Sequence, residues 1–106
     1  MIEQLTVQAL RQRRAAGERP TILDVRETWE YQLCALPDSL HLPMGQVARR
    51  LDRLPRDRDI VVVCHHGVRS QMIAGTLRRN GFERLCNLRG GIDAWAHEID
   101  PRMPVY

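Results

Sequence analysis

Apolar residues recur along the chain in two spacings, and the two alternate. Residues 2–5 read as a short strand; Thr6 suits a helix N-cap, and 7–16 a helix with Gly17 past its end. TILDV (21–25), after Pro20, is a short apolar run of the kind a buried strand shows. Residues 27–33 predict a short helix opened by the acidic Glu27, and PDSLHLP (37–43) predicts a turn, a brief strand and a second turn. Residues 45–54 predict a helix with Val47, Leu51 and Leu54 on one face and Pro55 as its stop. Ile60–Val63 is the clearest strand, β-branched throughout and apolar on both faces. A helix is expected over 70–80 with Ile73, Thr76 and Leu77 inward, Gly81 at a left-handed cap and Phe82 folded back on the last turn. Leu85–Leu88 predicts another strand, and the glycines at 90 and 91 turn the chain into a last helix over 92–99 that Pro101 ends. Trp29 and Trp95 are expected as core anchors.

Alternating strands and helices with short connections predict an α/β fold with a central parallel sheet of about five strands and helices on both faces. The length, 106 residues, fits a single domain over 1–106. No apolar run approaches ~20 residues, so no membrane partner is expected. The start of the chain lacks a basic segment followed by an apolar one, which gives the expectation of a cytoplasmic protein.

Charge narrows the partners. All 16 basic residues are arginine, and they interleave with 13 acids for a formal net charge of +3. The stretch RLDRLPRDRD (50–59) reads as a solvated face and not as a nucleic-acid stripe. Aromatic residues, at 5%, are too few for base-stacking platforms, so no nucleic-acid partner is expected. A mild positive field favours a small anionic substrate. The cysteines, at 34, 64 and 86, are odd in number and widely spaced, with no C-x-x-C pair. That argues against a disulfide framework, a zinc knuckle and a thioredoxin motif, so each thiol is read alone.

Cys64 is the informative one. It follows the most buried strand candidate in VVVCHHGVRS (61–70), and ligands of open parallel sheets bind beyond the carboxyl ends of strands. His65, His66, Gly67, Val68 and Arg69 then lead to a helix whose start offers unsatisfied N–H groups and partial positive charge. Gly67 lets successive amides turn inward, and Arg69 adds a permanent cation. All three features favour a thiolate over a thiol, and such a sulfur both attacks and leaves well. On the residues alone, the alternative is a small buried hydrophobe at a strand end.

The loop CHHGVRS resembles the active-site loop of single-domain rhodaneses, which are sulfurtransferases. ILDVRETWEY (22–31), LPDSLHLP (36–43) and GFERLCNLRGGIDAW (81–95) resemble three further signatures of that family, in the family's order. The second signature departs from the pattern: Cys34 and Ala35 stand where Gly-His is usual, and Leu36, Pro37 and Asp38 replace its Ile-Pro-Gly.

The resemblance implies a rhodanese-like domain in which Cys64 takes the outer sulfur of thiosulfate as a persulfide and passes it to a thiol, cyanide or protein acceptor. Loop amides of 65–69 would cradle that sulfur, and Arg69 would hold the donor's sulfonate end or stiffen the loop. His65 and His66 would orient substrate, tune the thiolate or project into solvent. Asp24, Arg26 and Ser70 would support the loop. No cofactor and no metal are implied. Zinc held by Cys64, His65 and His66 is disfavoured because adjacent residues converge poorly on one tetrahedral ion. Cys86 reads as a core residue, and Cys34 as a second sulfur-accepting thiol only at lower weight. Two rival readings remain. One is a partner-docking module that carries sulfur incidentally or not at all. The other is a phosphatase, whose loop has one more residue than the four between Cys64 and Arg69.

Overall fold

A computed structural model describes residues 2–106. Five strands form one sheet in the order β1-β5-β4-β2-β3, every neighbouring pair parallel: β1 Glu3–Leu5, β2 Thr21–Asp24, β3 Leu40–His41, β4 Ile60–Val63 and β5 Leu85–Leu88. Helices α1 Val7–Ala15, α2 Thr28–Leu33, α3 Val68–Arg79 and α4 Gly91–Glu98 connect them.

The apolar run IVVV occupies the middle of the sheet because both its faces have something to cover. Ile60 and Val62 pack with Ile73, Ala74 and Leu77 of α3 and with Val47 and Leu54, whereas Val61 and Val63 pack with Leu10 of α1 and Ile92 and Trp95 of α4. Each aliphatic side chain so buried contributes roughly 1.5–3 kcal/mol. The strict alternation means that a one-residue slip of β4 would exchange the two cores.

Local signals set several boundaries. Thr6 Oγ1 accepts the Ala9 N–H at 3.1 Å and caps α1. Gly81 takes φ +89°, and the Phe82 N–H reaches back to Leu77 O at 3.1 Å, closing α3. Trp95 is buried in the second core, as its place in the sequence led one to expect. No described helix is long and apolar enough to cross a membrane.

Four expectations are corrected. Residues 45–54 form two short 3-10 segments, Met44–Arg49 and Leu51–Arg53, not one α-helix. The Met44 N–H is tied to Val25 O at 3.0 Å, and the segment breaks at Arg50, where the helical angles are lost. Two tight turns bring Val47 and Leu54 to the core from a stretch anchored at both ends. On α3, Ala74 and not Thr76 completes the buried face; the Thr76 hydroxyl donates to Met72 O instead. Helix α3 begins at Val68, two residues before the expected start at Ser70, which puts Arg69 and Ser70 in its first turn. Trp29 is no core anchor: it is 62% exposed, with its ring edge-on to Tyr106.

Candidate functional site

The central strand β4 delivers Cys64 to the carboxyl end of the sheet, and the chain then turns through Gly67 into α3. Gly67 takes φ +105°, a conformation that costs a side-chain-bearing residue on the order of 1 kcal/mol or more. The turn aims the Gly67 N–H at Cys64 Sγ, 3.1 Å away. Cys64 is 1% exposed, so its sulfur lies beneath the loop and not on it.

A second group reaches the sulfur from α3. Ser70 Oγ is 3.2 Å from Cys64 Sγ and 2.5 Å from Asn87 Oδ1. Asn87 donates its Nδ2 hydrogens to Gln4 Oε1 at 2.9 Å and Gly67 O at 3.2 Å, which leaves Oδ1 to accept from Ser70. Ser70 thus turns a lone pair toward Cys64 and accepts a hydrogen bond from its S–H. When the sulfur is ionised, the hydroxyl must swing from Asn87 to serve it.

The loop is fastened to the start of α4. The Ile92 N–H bonds Cys64 O at 2.9 Å, and the Asp93 N–H bonds His65 O at 3.0 Å. A Cβ on Gly91 would lie 2.4 Å from His65 O and 2.5 Å from Cys64 O, so the approach requires glycine there.

A buried polar frame holds the loop from the side of α2. Asp24 Oδ1 and Oδ2 accept from Arg26 Nε and Nη2, and Arg26 also donates to the carbonyls of Glu30 and Cys34. Burial opposes the Arg26 charge, but the Asp24 carboxylate outweighs it and keeps the guanidinium strongly basic. Glu30 accepts from Arg69 through both its oxygens, from the Glu27 N–H and from Tyr106 Oη at 2.7 Å. These bonds, Arg69's foremost, hold the Glu30 carboxyl down at about 2. Tyr106 Oη in turn accepts from Arg26 Nη1 at 2.9 Å, and burial together with the Glu30 charge pushes its phenol up to about 12.

The two loop histidines differ. The His65 ring is stacked between His66 and Tyr106, with centroids 3.9 and 3.8 Å away. Burial first, then the neighbouring His66, lowers the basicity of His65. His66 lies open on the surface with Nε2 3.7 Å from Asp93 Oδ2.

The structure therefore brings Cys64, Gly67, Ser70, Arg69, Asp24 and Arg26 to one end of the sheet, while Val68 faces solvent. The Arg69 guanidinium bonds Glu30 through Nη1 and Nη2 and remains partly exposed. Glu30, Asn87 and Tyr106 escaped the sequence reading. Asn87 left a trace: it is the one polar residue in the buried strand LCNL. Glu30 left a trace only as the N3 acid of a capping box with Glu27; its tie to Arg69 and that of Tyr106 to Glu30 left none, because those partners lie 39 and 76 residues away. Cys86 is buried, and burial pushes its thiol up, which suits an inert core position. Cys34 is half-buried, with Sγ 4.0 Å from Arg26 Nη1.

A cysteine under an amide turn at the end of a central parallel strand has counterparts in known proteins. Residues 6–98 match the model of the rhodanese-like domain. This chain belongs to that family. Among its relatives, a sulfurtransferase of Allochromatium vinosum is 38% identical over 96 residues, covering 91% of this chain and 90% of that one. A rhodanese-related protein of Thermoplasma volcanium, 28% identical, superposes with a TM-score of 0.83 over 92% of this chain and 93% of its own. A rhodanese-like domain protein of Staphylococcus aureus, 25% identical, reaches 0.86 over 99% of both chains. The rhodanese-like assignment accounts for the α/β sheet and for the order of the four signatures. The Leu36–Pro37–Asp38 departure is absorbed locally: Asp38 takes φ +60°, the only non-glycine described with positive φ.

Proposed function

We propose that this chain is a sulfurtransferase that moves sulfane sulfur through a persulfide on Cys64, acting as one rhodanese-like domain. The observation that carries the reading is the seat of Cys64 Sγ, with the Gly67 N–H and the Ser70 hydroxyl as its hydrogen-bonding neighbours. A sulfur so enclosed favours a donor that enters by one slender atom, as the outer sulfur of thiosulfate does.

In the first step the Cys64 thiolate attacks that outer sulfur. The donor's S–S bond breaks, sulfite leaves with the bonding pair, and Cys64 holds a persulfide anion. In the second step an acceptor thiolate or cyanide attacks the terminal sulfur, and Cys64 departs as a thiolate. The Gly67 N–H, already aimed at the seat, stabilises the anion in both states, and the Ser70 hydroxyl joins it by turning from Asn87. Arg69, engaged by Glu30, keeps the first turn of α3 in place and so acts as a positioning residue. The cycle needs Cys64 free and not in a disulfide, a condition the cytoplasm meets.

The test is to incubate the protein with thiosulfate and weigh it. A gain of about one sulfur atom (~32 Da) is expected, and none in Cys64→Ser. No gain with thiosulfate, inorganic polysulfide or a small-molecule persulfide would leave the docking module as the reading.

A further inference from the structure

We propose that His65, His66 and Asp93 form a binding site for a first-row divalent metal ion of the Zn2+ type, at the edge of the Cys64 loop. One ligand atom from each residue lies within 4.8 Å of the other two. A tetrahedral ion with bonds of ~2.0–2.2 Å needs such atoms roughly 3.4 Å apart. The exposed His66 side chain, 61% open to solvent, is free to close that difference.

Adjacent histidines rarely converge on one ion. Here the two rings lie side by side, centroids 3.9 Å apart, so a nitrogen of each is already near Asp93, and rotation of the exposed His66 ring out of the stack aims both lone pairs at one ion. The third ligand comes from α4, not from Cys64. Its backbone is already fastened to the loop, with the Asp93 N–H on His65 O and the Ile92 N–H on Cys64 O. The fold therefore sets the spacing between the two ligand-bearing segments before any ion arrives.

Two further observations point to a ligand. His65 Nε2 is buried and has no hydrogen-bond partner, an unmet need that a cation would satisfy. The Asp93 carboxylate accepts no hydrogen bond among the described residues: His97 Nδ1, 3.5 Å from its Oδ1, pairs with Asp93 O at 2.8 Å instead. Two imidazoles with one carboxylate suit Zn2+, Co2+, Ni2+ or Cu2+ over Mg2+ or Ca2+. Three protein ligands leave a tetrahedral ion one open position.

The experiment uses Cys64→Ser protein, so that no thiol at 64 competes for the ion and the result does not depend on persulfide chemistry. Zn2+ is titrated calorimetrically in a non-chelating buffer, and Co2+ is followed by its visible absorption. One ion per chain is expected, with affinity reduced roughly tenfold or more when His66→Gln or Asp93→Asn is added. Circular dichroism confirms that each variant is folded. Absence of saturable binding would overturn the proposal, as would binding that both substitutions leave intact.

Discussion

Arg69 and Glu30 are joined by two parallel hydrogen bonds, Nη1 to Oε1 at 2.7 Å and Nη2 to Oε2 at 2.9 Å, across 39 residues of chain. The pair fastens the first turn of α3, which carries the loop, to α2. It makes the one cation of the loop a structural device.

The pair has a pH signature. Glu30 titrates at about 2 in the folded protein against 4.5 for a free side chain, chiefly through Arg69. A lowered folded value means the stabilisation is fully present above pH 4.5 and is lost as pH falls toward 2. The full shift corresponds to ~3 kcal/mol, and partial exposure of Arg69 reduces this to on the order of 2 kcal/mol. Thermal melts should therefore show the wild type losing more stability between those pH values than Glu30→Gln does. Parallel melting curves for the two proteins would contradict the assignment.

Asn87 reaches the sulfur chiefly through Ser70, with a weaker second route through Gly67 O. Losing the Ser70 hydroxyl removes one of two hydrogen-bonding neighbours of Cys64 Sγ, and Ser70→Ala should slow persulfide formation about tenfold, ~1.4 kcal/mol. Asn87→Ala should slow it less. The double variant should be only slightly slower than Ser70→Ala, because the one route left to Asn87 runs through Gly67 O. Rapid-mix mass spectrometry would read the three rates; additive losses would show a separate action of Asn87.

Gly91 and Gly45 make a controlled comparison. A Cβ on Gly91 meets two carbonyl oxygens at 2.4 and 2.5 Å with φ at +61°, whereas one on Gly45 meets nothing within 4 Å. Gly91→Ala should cost about 3 kcal/mol or more and disturb the loop. Gly45→Ala should be neutral or stabilising by ~0.5 kcal/mol. Urea unfolding would measure both, and equal effects would refute the close-approach argument.

Asp38 carries a modest strain at φ +60° where glycine fits more easily. Asp38→Gly should raise stability by roughly 0.5 kcal/mol, the relief of strain exceeding the added entropy of the unfolded chain. A drop in the urea midpoint would show that Asp38 makes an interaction that outweighs its strain.

What the sequence determined was local or periodic. Ile60–Val63 declared a central strand by being apolar on both faces, Thr6 marked a helix start by its hydroxyl and Gly81 a helix end by its lack of a Cβ, and Cys64 stood at a strand end before a glycine turn. Such signals depend on residues within a turn or two of each other, so they survive without the fold. Tertiary structure decided the rest. It split 45–54 into two tight turns, sent Trp29 to the surface, and assembled Glu30, Arg69, Tyr106, Asn87 and Ser70 around one sulfur. Those groups meet only because parallel strands bring their carboxyl ends together. A hydrogen bond between residues 39 or 76 apart has no periodicity to announce it.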